Sequence, residues 1–184
     1  PGALFNGMIA PLLPLQLRGA IWYQGESNAD AHDSYESRFI ALIRDWRQRF
    51  ENDSLAFLFV QLASFVASGN WAFLREAQAG ALKEPCTGMV TTLDIGDPHD
   101  IHPKNKHDVG KRLADIALEQ CHGLECGPTR GPVLADVRFD GDSARVRFGS
   151  AAALRTRDGQ APRGFELAGI DGVFHPAQAT LEGV

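Results

Sequence analysis

Short apolar runs and amphipathic segments take turns along the first two thirds of this 184-residue chain, and that alternation restricts the folds open to it more than any other feature. Arg18-Gly-Ala-Ile-Trp-Tyr23, Leu55-Ala-Phe-Leu-Phe-Val60 and Gly88-Met-Val-Thr-Thr-Leu93 are too short for buried helices and read as strands. After the first run, Tyr35, Phe39, Leu42, Ile43, Trp46 and Phe50 recur at three- and four-residue intervals, the spacing of one helix face, with Asp33 or Ser34 placed to cap it. Residues from about Trp71 to Leu82 form a second helical segment, stopped by Pro85. Val109, Leu113, Ile116 and Ala117 mark a third, behind Asp108 as its cap. Strands alternating with helices at this spacing predict βαβ units, hence an α/β fold whose parallel sheet is covered on both faces.

Beyond Cys126 the pattern changes. Gly127-Pro128-Thr-Arg-Gly131-Pro132 reads as a linker, dividing residues 1–126 from a β-rich segment, 127–184. That segment carries turn signals at Asp140-Gly141, Asp158-Gly159 and Asp171-Gly172, and Val133 to Phe139 with Ala144 to Phe148 reads as an antiparallel hairpin. About fifty residues of this kind leave open sheet edges, and Glu182-Gly183-Val184 carries no end signal, so the β segment is expected to be incomplete. At the front, three strands fall short of the usual four to six or so, and at least one more is expected upstream of Pro1.

An apolar content of 44% is enough for a core of ordinary size. Eighteen basic residues against 23 acidic ones give a net charge of -5, and without a Lys/Arg-rich run there is no electrostatic footprint for nucleic acid. No apolar stretch reaches the roughly 18 residues of a membrane span, and Pro1-Gly2-Ala3 lacks Met or a basic region with an apolar segment behind it, so any address label is expected to have been removed. Cys86, Cys121 and Cys126 form no Cys-x-x-Cys pair. Buried free thiols are one reading, and a bridge between Cys121 and Cys126 that leaves Cys86 over is the other.

In open α/β sheets, ligands bind beyond the carboxyl ends of the strands. That rule collects Gln24-Gly25-Glu26 after the first run, Gln61 after the second, and Asp94-Ile-Gly-Asp97-Pro-His99-Asp100-Ile-His102-Pro103 after the third. The last stretch crowds three carboxylates and two imidazoles into nine positions. Burial there would raise the carboxylate pKa values and lower those of the imidazoles, an arrangement suited to proton transfer. His102, its backbone restricted by Pro103, is the expected general base. Asp100 reaches that ring only if the loop curls, which leaves Glu26 as a rival orienting carboxylate. His99 and His107 read as surface or substrate-facing groups. Gln24, through its side-chain amide, and Gly25, through its unobstructed backbone N–H, suit an oxyanion hole.

Four blocks in order, Leu4-Phe-Asn-Gly-Met-Ile-Ala-Pro-Leu12, Trp22-Tyr-Gln-Gly-Glu-Ser-Asn28, Leu74-Arg-Glu-Ala-Gln78 and Asp94 through Lys106, resemble the sialate O-acetylesterases and related carbohydrate esterases of the SGNH hydrolase superfamily. The resemblance covers roughly residues 3 to 120, and the tail from Gly131 resembles the β-rich segment that follows the esterase core. It implies an SGNH-like three-layer α/β/α sheet followed by the start of an antiparallel β-sandwich. It also implies removal of acetyl groups from an O-acetylated sugar or glycan by a Ser-His-acid mechanism, with no cofactor or metal and in a periplasmic or secreted setting. His102 matches the catalytic histidine, Gln24 the oxyanion block, and Asp100 or Glu26 the acid. Many SGNH enzymes place the acid three residues before the histidine, where this chain has His99. The family's Gly-x-Ser block has no counterpart before Leu4, so the nucleophile is expected in a missing N-terminal segment.

Three rivals stand beside this reading. Gly25-Glu-Ser27-Asn-Ala29 approaches a nucleophile elbow, and the order Ser27, Asp100, His102 is that of α/β-hydrolases. Against it, the helical pattern begins only near Asp33, and Ala29 replaces the last glycine of the motif. A metal-dependent hydrolase would use Asp94, Asp97, His99, Asp100 and His102, although Pro98 and Pro103 stiffen the loop and catalytic metals draw on more than one loop. A non-catalytic sugar-binding fragment would stack its ligand on Trp22, Tyr23 and Trp71, which also read as core residues.

Overall fold

The three apolar runs form strands β1 (Gly19–Trp22), β2 (Ala56–Val60) and β3 (Thr87–Val90), parallel and in the order β1-β2-β3. In the computed structural model, which describes residues 2–66, 70–124, 131–149 and 154–182, Ile21 is in register with Leu58 and Leu58 with Gly88. β3 ends three residues earlier than its sequence predicts. The Gln61 amide makes the last ladder bond to Val90 O, and past it β2 offers no further partner.

Helices α1 (Tyr35–Arg49) and α2 (Trp71–Gly80) lie on one face and α3 (Lys106–His122) on the other, giving three layers. The period-2 alternation of β2 divides the core between them. Phe57 and Phe59 pack with Tyr35, Phe39, Ile43 and Leu74, while Leu58 and Val60 pack with Val90, Val109 and Ile116. Phe39 and Phe59 meet edge to face with centroids 5.0 Å apart. Buried on both faces, β2 reads as a continuous apolar run. Gly88 brings α3 close to the sheet, since a Cβ there would stand 2.6 Å from Ile116 Cγ2.

Two helix starts differ from expectation. Ser34 occupies the cap position of α1, but its hydroxyl donates back to Ala31 O and caps nothing. Residues Glu26–Ser34 ahead of it already wind in 3-10 turns broken at Ala31, so helical structure begins soon after β1. The cap of α3 is Asn105: its Oδ1 accepts from the Asp108 amide at 3.2 Å, which places Asp108 inside the first turn. There the Asn105 hydrogen bond holds the Asp108 carboxyl below the usual carboxylate range. Arg47, 6% exposed, ties the approaches to β2 and β3 together through Leu55 O at 3.1 Å and Pro85 O at 2.6 Å.

The described residues group into two compact units, within 1–130 and within 131–184. In the second, β4 (Val133–Asp140) and β5 (Ser143–Gly149) form an antiparallel hairpin whose turn uses Gly141 at φ +58, and β6 (Phe165–Ala168) pairs antiparallel with β7 (Phe174–Ala177). Residues 125–130, which take in most of the linker and Cys126 of the considered bridge, lie outside the described residues. Cys86 and Cys121 carry free thiols, and Cys86 is exposed where a buried thiol was one expectation. No helix among the described residues is long and apolar enough to cross a membrane.

Candidate active site

The buried stripe of α2 consists of Trp71, Leu74 and Gln78, which carries an amide into the core at the level of the strand ends. Gln78 is 1% exposed and uses both ends of its side chain. Oε1 accepts from Leu62 N at 2.9 Å, and Nε2 donates to Gln24 O at 3.1 Å and Val60 O at 3.4 Å. The ends of β1 and β2 are thereby fixed relative to each other. Tyr35 adds a bond from its hydroxyl to Gln24 O at 3.0 Å, and burial pushes that phenol up from its ordinary pKa. Gly25 sits against this amide: a Cβ would stand 3.1 Å from Gln78 Nε2 and 3.4 Å from Leu62 and Leu74, and φ is +156.

Both donors assigned to the oxyanion hole have partners inside the turn. Gln24 Nε2 donates to Asn28 Oδ1 at 2.7 Å, and Gly25 N donates to Glu26 Oε2 at 3.0 Å. Glu26 thus turns its carboxylate to the Gly25 amide. Burial, and then the Glu26 charge, push the Tyr23 phenol up, and Lys106 Nζ lies 4.7 Å from the centre of the Tyr23 ring. That cation links the start of α3 to the end of β1.

The loop after β3 relieves its crowding by giving each carboxylate a different partner. Asp94 binds Arg112 in a fork, 2.8 and 2.7 Å, and this raises the guanidinium pKa further. Asp97 Oδ1 accepts from the His99 amide and Asp100 Oδ1 from the His102 amide, both at 2.9 Å, as two successive Asx turns. The loop lies largely at the surface, contrary to the burial expected of it. It docks on the segment after β2 through Ser64 Oγ to Leu93 O and Val66 N to Pro98 O, each 2.8 Å, with Gly96 against Ala63 and Ser64. Thr92 Oγ1 donates to Gln61 O at 2.7 Å, so all three strand ends belong to one network.

Asp100 does reach His102 by a curl of the loop: its Oδ1 lies 3.9 Å from the ring Nδ1, an electrostatic distance and longer than a hydrogen bond. The ring itself is 88% exposed. A ring packed opposite the 24–26 turn is therefore not what the structure contains. Its main chain is anchored by Asp100 and the buried Pro103, and the imidazole projects outward. His99 and His107 are exposed as expected, His107 beside Asp108 at 3.5 Å.

Trp22 and Tyr23 are half-buried and Trp71 is buried, and all three pack against the core. Among the described residues no three His, Cys, Asp or Glu side chains gather as a metal site would require. Ser27 is exposed in the first 3-10 turn, so the late helix start counted against it does not hold. Sequence reasoning missed Gln78, Tyr35 and Arg112. For Gln78 a signal existed, a glutamine in line with Trp71 and Leu74 on an otherwise apolar helix stripe.

A family model described as carbohydrate esterase, sialic acid-specific acetylesterase, matches residues 4–119. Sialate O-acetylesterase of Mus musculus is 39% identical over 152 residues, covering 71% of this chain and 28% of the mouse protein. The Homo sapiens protein of the same name is 36% identical, covering 71% of this chain and 29% of its own length. Among solved structures, a carbohydrate acetylesterase from Xanthomonas citri superposes with a TM-score of 0.91 at 44% identity, covering 98% of this chain and 43% of that one. The chain therefore spans under a third of the length of these sialate O-acetylesterases and less than half of the Xanthomonas protein. With the matched segment running from the turns before β1 into the last turn of α3, this chain belongs to the sialic acid-specific acetylesterase family of carbohydrate esterases.

Proposed function

We propose that this chain carries the general base and the oxyanion-binding turn of a carbohydrate O-acetylesterase, with residues 1–126 forming the later part of the esterase core and 127–184 an accessory β segment. The substrate is an O-acetylated sugar, and the nucleophilic serine lies in a segment outside these 184 residues. The observation that carries this reading is the network joining the strand ends, with the 24–26 turn and the His102 loop on the same carboxyl edge of the sheet. The open side of β1 supports a partner segment there. Among the described residues β1 pairs only with β2, and Ile21 is 71% exposed.

The serine oxygen attacks the acetyl carbonyl while His102 Nε2 takes its proton, and Asp100 or Glu26 stabilises the resulting imidazolium. Gln24 Nε2 and Gly25 N leave Asn28 and Glu26 to donate to the developing oxyanion. His102 then protonates the departing sugar oxygen. Water, deprotonated by the same ring, releases acetate and restores the serine.

The test compares the 184-residue chain with a longer polypeptide carrying the upstream segment, both against 4-nitrophenyl acetate. The longer form hydrolyses it and the shorter does not. Full turnover by the shorter form, or loss of acyl-enzyme formation on Ser27→Ala in the longer one, overturns the assignment of the nucleophile.

A further inference from the structure

The two halves of the candidate site are held by separate sets of bonds. On one side, Gln78 ties the 24–26 turn to the end of β2 through Gln24 O, Val60 O and Leu62 N. On the other, the loop that carries His102 docks on the segment after β2 through Ser64 and Val66, and Arg112 clasps its first carboxylate, Asp94. Neither set runs directly from the turn to the loop. A base and an oxyanion-binding group must nevertheless keep a fixed separation, since a misplacement of about 1 Å can cost a hundredfold in rate.

Tyr23 lies in that gap. It immediately precedes Gln24, and its half-buried side chain packs against both core clusters, as a ring lying across the end of the sheet does. Burial, and then the Glu26 charge, push its phenol up, while a hydrogen bond with Thr92, two residues beyond β3, acts the other way. Over the face of the ring stands Lys106 Nζ, 4.7 Å from its centre, where an ammonium is attracted to the negative face. Lys106 is the first residue of α3, four positions after His102 and three after the buried Pro103. One ring therefore meets the end of β3 and the start of α3 while its own backbone runs straight into the turn.

We propose that Lys106, seated on Tyr23, is a positioning residue that sets the Gln24–Glu26 turn against the His102 loop. This rests on the esterase reading for what the turn and the loop do. The contact requires a cation and a ring face, so an arginine, whose flat guanidinium stacks on aromatic rings, preserves it. Lys106 is exposed, and removing its charge takes little packing away from the fold.

In the longer polypeptide, kcat and KM are measured on 4-nitrophenyl acetate. Lys106→Met, which keeps the stem and loses the cation, lowers kcat about tenfold and leaves KM within about twofold. Lys106→Arg restores most of kcat. Tyr23→Leu lowers kcat as well, and adding Lys106→Met to it lowers kcat no further, because the pair acts as a unit. An unchanged kcat in Lys106→Met overturns the proposal, and so does an arginine variant as slow as the methionine one. A rise in KM without a fall in kcat also overturns it, since the ammonium then meets the substrate itself. Losses that multiply in the double variant remove Tyr23 as the partner and sink it too. If the wild type does not hydrolyse the ester, the esterase reading fails. Hydrogen exchange at the Gly25 amide of the same polypeptide then decides Lys106 separately: faster exchange in Lys106→Met than in wild type and Lys106→Arg supports its hold on the turn, and equal exchange in all three refutes it.

Discussion

Gln78 and Gln24 are 54 positions apart in the chain, and the side-chain amide of the first donates to the main-chain carbonyl of the second at 3.1 Å. The same amide accepts from Leu62 N, so one buried side chain sets the spacing of two strand ends from which the Gln24–Glu26 turn springs. Gln78→Leu conserves bulk but leaves the Leu62 amide and the Gln24 carbonyl without this partner. Denaturant titration is expected to show a loss of about 1–3 kcal/mol. Gln78→Glu retains the acceptor for Leu62 but turns an oxygen toward the Gln24 and Val60 carbonyls and buries an acid, so it too is expected to be less stable than wild type. Stability of the leucine variant equal to wild type would show that water replaces the amide.

Gly88 allows α3 to approach β3. An added Cβ would meet Ile116 Cγ2 at 2.6 Å and Leu58 Cδ2 at 3.1 Å, both buried. Gly88→Ala therefore overpacks the α3 face and is expected to cost about 1–3 kcal/mol. Combining it with Ile116→Ala, which removes the Cγ2 methyl that the new Cβ would meet, should cost less than the sum of the two single changes. Additive losses in a double-mutant cycle would place the strain elsewhere.

How far the sequence speaks for itself differs from element to element, for physical reasons. The β2 strand was readable because both its faces are buried, and α1 because its aromatic stripe repeats with the helix period. The start of α3 was misplaced because Asn105 and Asp108 both favour first-turn positions, and only the direction of their hydrogen bond tells cap from third residue. The loop from Asp94 to His102 drew attention through its charge, but its electrostatics depend on Arg112 and on backbone amides that lie elsewhere in sequence or carry no side-chain signal. Gln78 was hidden for a related reason: its partners Gln24 O, Val60 O and Leu62 N are main-chain groups, which composition and spacing do not reveal.

Glu84 is 8% exposed and accepts two hydrogen bonds from Arg44, at 3.1 and 2.7 Å. The Arg44 hydrogen bonds hold its carboxyl below the ordinary glutamate range. A carboxyl depressed in the folded state contributes stability that is fully present above its unfolded pKa, about 4.3, and is lost as pH falls through the lower folded value. Glu84→Gln should therefore be less stable than wild type at neutral pH, and the gap should close once pH drops well below 4 or so. Parallel stability curves for the two proteins across that acid range would remove Glu84 from the acid response.

His102 allows function and folding to be separated, because its ring is 88% exposed while its backbone is held by the Asp100 side chain. Replacing the ring by alanine removes little packing, so unfolding free energy should stay within about 0.5 kcal/mol of wild type. In the longer polypeptide the same change should lower kcat on 4-nitrophenyl acetate by about a thousandfold or more, as expected of a general base. Asp100→Asn keeps an oxygen that can accept from the His102 amide but removes the charge 3.9 Å from the ring. Glu26→Gln likewise keeps an acceptor for Gly25 N. Whichever of the two lowers kcat by at least about a hundredfold with little change in stability is the acid that orients the imidazole. Unchanged kcat in His102→Ala would mean that the base lies elsewhere on the carboxyl edge of the sheet.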